Sequence, residues 1–274
     1  MAALRKSAKR KSPKRKPGGR LAPAVEVLAE VWRMGQTLRE LPAICRPKTL
    51  AEGYKVQALL AAELGLERAG WKIGCTSAAA RALLRADGPF AGRVFLPRCY
   101  PSGTAIAAEQ YRTRGLEGEF AFVLGKDLKP RKKPYTRAEI LAAVEDLHPA
   151  IEIVDPRYTD MFAVSLPEIV ADMGANGALI VGAPARNWRR KDLGAVAVAM
   201  KAGGKTVGKG KGADVMGNPL DALAWLADNP PVPEGLKAGE IVTTGTATGF
   251  HRAGAGDKVV ADFAGLGKVE LKFV

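Results

Sequence analysis

Four charged side chains stand inside apolar runs, where an unpaired charge is expensive. Glu117 and Glu119 sit one residue apart at the head of GLEGEFAFVL, and Glu152 lies within AIEIVD. Lys72 lies between Trp71 and Ile73 in WKIGCT. Side chains of an extended strand alternate faces, so Glu117 and Glu119 point the same way. A lone buried carboxylate is costly to desolvate, and several brought together drive one another's pKa up. A divalent cation removes that problem, and carboxylate oxygens suit Mg2+ or Mn2+ better than zinc. The competing reading is that each Glu meets a Lys or Arg, or faces water on a half-exposed sheet. A lysine in an apolar strand can act as acid or base; its commoner role is an amine reaching to the surface along its stem. The run TTGTATG, 243–249, brings hydroxyls and close backbone amides around Gly245 and Thr246. Such a turn can hold a substrate carboxylate, or be only a glycine-permitted hairpin.

Other chemistries lack their residues. AGGKT at 202–206 resembles the end of a phosphate-binding loop, but Ala199 stands where a glycine is required, and a hairpin explains the run. No GxGxxG follows a strand and no GxSxG elbow is present. The two histidines, His148 and His251, are far apart and form neither a metal pattern nor a triad.

These residues must be positioned by elements that the pattern distinguishes. Residues 21–70 repeat apolar positions at three and four, which predicts helices broken at Leu41-Pro42 and Arg46-Pro47, with Thr49 capping the second. WKIGCTS predicts a strand entering a loop, SAAARALLRAD a short helix, and GPFAGRVFLPRCYPSG a Gly/Pro-rich loop region. Strands are expected at 117–125, HPAIEIVD and 174–182. A helix is expected over Thr136–Leu147, capped by Thr136 with Glu139. Residues 194–210 read as a hairpin turning at Gly203-Gly204, Asn218-Pro219 opens a helix, and the C-terminus reads as strands and turns. The expected class is α+β: a basic tail over 1–20, a mainly helical region over 21–98 and a strand-rich catalytic core over 99–274.

The chain has 274 residues, 47% of them hydrophobic and 26% charged, a composition able to bury a core. No apolar run reaches membrane-spanning length, so a membrane is excluded as a partner at this stage. Cys45, Cys75 and Cys99 make no metal or CxxC spacing, which fits reduced thiols and a cytoplasmic protein. The net charge is +14, but residues 1–20 hold nine Lys or Arg and no acid, leaving +5 elsewhere. That tail is expected to be disordered. It is either a solvated extension or an electrostatic tether, the latter being the basis of a rival reading as a non-catalytic nucleic-acid-binding protein. The body has no aromatics interleaved with basic runs, which disfavours nucleic acid as a partner.

Taken together, WKIGCTS, GPFAGRVF, LEGEFAFVLGKDL, PAIEIVDPRY, DMGANGALIVG, NPLDALAWLA and AGEIVTTGTATG resemble, in order and spacing, the 2-keto-4-pentenoate hydratases of the fumarylacetoacetate hydrolase superfamily. The resemblance covers about residues 25–274 and leaves out the basic tail. It implies a mixed β-sandwich roll with a small helical N-terminal region. It further implies Mg2+ or Mn2+ on Glu117, Glu119 and Glu152, proton transfer by Lys72, and a substrate carboxylate held at the turn containing Gly245 and Thr246. The implied activity is hydration of a 2-hydroxypenta-2,4-dienoate-type substrate to a 4-hydroxy-2-oxo acid in aromatic catabolism, by a homo-oligomer acting on a small 2-oxo acid. Decarboxylation of a 2-oxo-3-enedioate and C–C hydrolysis of an acylpyruvate share the same electronic strategy. One departure stands out. Hydratases often carry an acid in the loop after KIG, where this chain has Phe90; Asp87, three residues earlier, is the candidate substitute.

Overall fold

The computed structural model describes residues 19–274, so the expected disordered tail lies, up to residue 18, outside the described residues. The helices are α1 (Ala22–Met34), α2 (Leu50–Leu64), α3 (Ala78–Leu84), α4 (Arg137–Ala143), α5 (Leu166–Ala171) and α6 (Pro219–Asp228). The strands are β1 (Arg68–Gly74), β2 (Phe90–Phe95), β3 (Cys99–Pro101), β4 (Thr104–Ile106), β5 (Gly115–Leu124), β6 (Val144–Val154), β7 (Asn176–Val181), β8 (Ala197–Ala202), β9 (Lys205–Lys211), β10 (Ile241–Thr246), β11 (His251–Arg252), β12 (Lys258–Phe263) and β13 (Gly267–Phe273).

Two sheets carry the fold. The larger runs β2-β1-β10-β5-β6-β7-β3, with β11 also paired to β5; the smaller runs β4-β13-β12-β8-β9. Alternation sorts the side chains of the large sheet. Leu116, Phe120, Phe122 and Leu124 of β5, Ile151 and Ile153 of β6, and Trp71 and Ile73 of β1 join one core with Phe263, Val259 and Met200 of the small sheet. Phe120 and Phe263 meet edge to face at 5.1 Å between centroids. This is the α+β sandwich roll that the sequence led us to expect, and its apolar burial is what fixes strand register.

The residues in between, Lys72, Glu117, Glu119 and Glu152, therefore face the other side of the large sheet. Helices cover that side. Gln57 of α2, fully buried, donates Nε2 to Val170 O at 2.7 Å and to Ala91 O at 3.2 Å, tying α2 to α5 and β2. The helices α1 and α2 pack with Phe95, Tyr158 and Met173 into a second cluster.

Two local expectations are corrected. GPFAGRV does not stay a loop: Phe90–Phe95 is a strand, antiparallel to β1, and Cys99–Pro101 pairs with β7. Its Gly92 reads as a breaker in sequence, yet it is needed because a Cβ there would collide with Met173 O. The helix expected to run to Leu147 ends at Ala143, since Val144 onward pairs with β5 for the length of β6. A buried pairing partner overrides the helical spacing of that segment.

Candidate active site

The four central strands bring the charged residues together. In the β5–β6 ladder Glu117 stands directly opposite Glu152. Like charges in that position repel. On the next strand, Thr246 of β10 stands opposite Glu119, and β10 in turn pairs Thr243 with Lys72 of β1. One ligand oxygen from each of Glu117, Glu119 and Glu152 falls within 4.8 Å of the others.

The two fully buried carboxylates are held alike. Glu152 Oε1 accepts from Asn176 Nδ2 at 2.8 Å, and Glu119 Oε2 accepts from the Gly245 N–H at 2.8 Å. Their other oxygens, Glu152 Oε2 and Glu119 Oε1, are buried without a hydrogen bond. Lys72 Nζ lies 3.3 Å from Glu152 Oε2 as an ion pair. Glu119 Oε1, orphaned among converging carboxylates, is the feature to be explained, because buried polar atoms are otherwise almost always satisfied. A hard divalent ion fits this donor set: oxygen ligands, net negative charge, a free oxygen on Glu119 and one on Glu152 held only by the Lys72 ion pair.

Protonation follows the same geometry. Burial raises the Glu117 carboxyl, Lys72 opposes and Glu152 adds to the rise, pushing it up to about 7. Glu119 is raised well above the ordinary carboxylate range, first by burial and then by the charges of Glu152 and Glu117. For Lys72, burial favours the neutral amine, but the charges of Glu152, Glu117 and Glu119 outweigh it and raise the pKa.

Gly245 is positioned by an irregularity in the β10–β5 register between Thr243 and Thr246. Its φ is 92°, and a Cβ there would collide with the Thr76 hydroxyl, so this turn requires glycine. The resemblance implies a substrate-carboxylate contact at Gly245; in the structure Gly245 lines the cavity and its N–H donates to Glu119 Oε2. Thr246 lines the cavity, with its hydroxyl donating to Gly249 O at 3.1 Å.

A cavity of about 70 Å³, open at its mouth, reaches this cluster and is lined by Lys72, Glu117, Gly245 and Thr246. Asp87 is not brought there: it is exposed on the turn after α3 and is not part of the cavity wall. Phe90 occupies the place instead, its ring centroid 5.6 Å from Lys72 Nζ. Sequence reasoning missed Asn176, whose polar side chain at the head of the apolar run NGALIV was a signal of the same kind as the glutamates. It also missed the cavity walls Leu83, Leu84, Met161 and Phe162, for which sequence carried no signal.

Residues 97–274 match the family described as fumarylacetoacetate (FAA) hydrolase, C-terminal. The chain belongs to the fumarylacetoacetate hydrolase family. This family member is 33% identical over 255 residues to the 2-hydroxyhexa-2,4-dienoate hydratase of Comamonas testosteroni, covering 90% of this chain and 94% of that protein. It is 34% identical over 210 residues to 2-keto-4-pentenoate hydratase 1 of Dechloromonas aromatica (strain RCB), covering 76% and 79%. Among solved structures it is similar to the 4-oxalocrotonate decarboxylase of Pseudomonas putida G7, complexed with magnesium and adipate. That match has a TM-score of 0.82 and 26% identity, over 92% of this chain and 97% of the other. Among the described residues, no helix is long and apolar enough to cross a membrane.

Proposed function

We propose that this chain is a divalent-metal-dependent hydro-lyase that adds water to a 2-hydroxypenta-2,4-dienoate-type substrate and releases a 4-hydroxy-2-oxo acid. The observation that carries the reading is the set of three converging carboxylates, with Glu119 Oε1 buried without a partner and Glu152 Oε2 facing only the Lys72 ammonium. The hydratase names of relatives matching most of the chain support it. Glu117, Glu119 and Glu152 would hold Mg2+ or Mn2+, which supplies Lewis-acid polarisation of the carboxylate and keto oxygens of a 2-oxo acid.

The chain's own residues then have defined tasks. Thr246 and its turn orient the substrate carboxylate. Lys72 Nζ holds a proton next to Glu152 Oε2 and delivers it to the distal carbon, C5, as the 2-hydroxyl gives its own to water; this converts the dienol to a 2-oxo-3-enoate. Water then adds at C4, with a proton placed on C3. The Phe90 ring centroid lies 5.6 Å from Lys72 Nζ, and Phe90 lines the same cavity.

The decarboxylase likeness supports a second reading, loss of CO2 from a 2-oxo-3-enedioate on the same site. One experiment separates them. Ultraviolet decay of 2-hydroxypenta-2,4-dienoate that is stopped by EDTA, restored by Mn2+ or Mg2+ and yields 4-hydroxy-2-oxopentanoate is the expected result. Absence of decay with the metal bound, together with CO2 release from 4-oxalocrotonate, would overturn hydration in favour of decarboxylation. The reading includes a cytoplasmic homo-oligomer, supported by the resemblance described above and checked by sedimentation.

A further inference from the structure

The cavity has two chemically different halves. The inner half holds Lys72, Glu117 and the Gly245–Thr246 turn; the outer half is walled by Leu83 and Leu84 of α3, Met161 and Phe162 of the segment before α5, and Phe250. Among the described residues, Lys72 is the one basic side chain in the wall, and it is engaged with Glu152. Arg81, on the same helix as Leu83, is not part of the wall; its Nη1 donates to Cys75 O at 3.3 Å. A second carboxylate at the far end of a substrate would therefore lie against hydrocarbon with no cation to pair it.

The outer walls also carry apolar surface that nothing in the fold covers. Leu83 is 59% exposed and Phe162 is 41% exposed, two of the few large hydrophobic side chains so placed. The helix α3 has no fully buried residue, so its contacts with the fold leave its apolar side free to face the cavity. Scattered exposed apolar residues need no explanation, but these two flank the mouth of one cavity and continue its apolar wall.

We infer that the outer half is a subsite for an uncharged apolar tail, with Leu83 and Phe162 as specificity-determining residues. The favoured substrates are 2-hydroxy-2,4-dienoates bearing an alkyl or aryl group at the distal carbon, and distal carboxylates are rejected. The inference rests on the hydro-lyase reading for the identity of the head group, but the subsite itself is a matter of binding.

The test accordingly has a binding arm and a turnover arm. Calorimetric titration of the Mn2+-loaded protein with unreactive 2-oxopentanoate, 2-oxohexanoate, 2-oxooctanoate and 2-oxoadipate is expected to give Kd values falling about 3–4-fold per added methylene. The dicarboxylate is expected to bind at least about tenfold more weakly than 2-oxohexanoate. Leu83→Ala and Phe162→Ala should each flatten the chain-length series, and Leu83→Arg should favour 2-oxoadipate. Turnover of 2-hydroxyhexa-2,4-dienoate above 2-hydroxypenta-2,4-dienoate, with the same ordering across the variants, is the expected kinetic counterpart. A flat series, or 2-oxoadipate binding more tightly than 2-oxohexanoate, would overturn the subsite. The expected binding order in a protein that hydrates none of the dienoates would uphold the subsite and refute the hydro-lyase reading alone.

Discussion

Replacing Glu117 with Gln should stabilise the metal-free protein at alkaline pH and abolish its response to metal. The carboxyl rises from its ordinary 4.5 to about 7, mainly through burial. That gap is worth about 3 kcal/mol at 1.36 kcal/mol per tenfold change. Glu117 is partly exposed at the cavity, so solvent screening reduces the figure to about 2 kcal/mol. For an acid whose folded-state pKa is raised, stability is intact below the unfolded value and is lost as pH rises through the folded one. The wild-type protein without metal therefore weakens between about pH 4.5 and about pH 7, and the Gln variant escapes this part of the loss. In EDTA the two should melt together near pH 4.5, and the variant should melt ~4–8 °C higher at pH 8. Saturating Mn2+ should reverse the order at pH 8, because ligand at about 100 times its Kd adds about 2.7 kcal/mol to the wild type only. Differential scanning calorimetry at both pH values, with EDTA and with Mn2+, reads all four conditions. A variant that melts lower than wild type in EDTA at pH 8, or that keeps the full Mn2+ response, would refute the account of the cluster as an unrelieved metal clamp.

Lys72→Gln should lower kcat by at least about a hundredfold, as expected for loss of a proton-transfer group, while metal-induced stabilisation persists; loss of the metal response instead would make Lys72 structural. Asn176→Ala should free Glu152 Oε1 inside the fold, costing about 1–3 kcal/mol by denaturant titration and weakening Mn2+ about 10–100-fold by calorimetry. Asp87→Asn should change kcat/KM less than about threefold because the side chain is exposed and outside the cavity wall, whereas a loss of about a hundredfold would show that the turn after α3 closes over the substrate.

Much of the site could be read locally. Period-two alternation was enough to place Glu117 and Glu119 on one face, and to set Lys72 and Glu152 apart from the apolar neighbours that flank each of them. Capping residues likewise marked real helix starts, since the Thr49 and Thr136 side chains accept from the backbone N–H of Glu52 and Glu139. What was misread has a common cause. Val144–Leu147 has helical spacing but becomes strand, and GPFAGRV has turn composition but becomes strand, because each is paired along its length with a distant segment. Pairing of that kind depends on partners far away in the chain and leaves no periodic mark on either one.

The sequence by itself determined the residue types, their faces and the oxygen-rich character of any metal site, since these follow from side-chain chemistry and backbone geometry within a few residues. Only the tertiary structure decided that β1, β10, β5 and β6 lie side by side, which puts Lys72 against Glu152 and the Gly245 N–H on Glu119. It also decided that Asn176 orients Glu152, that Asp87 stays outside, and that Leu83 and Phe162 flank the cavity mouth. Strand order is set by which arrangement buries the most apolar surface between the two sheets, a property of the whole chain that no local run contains.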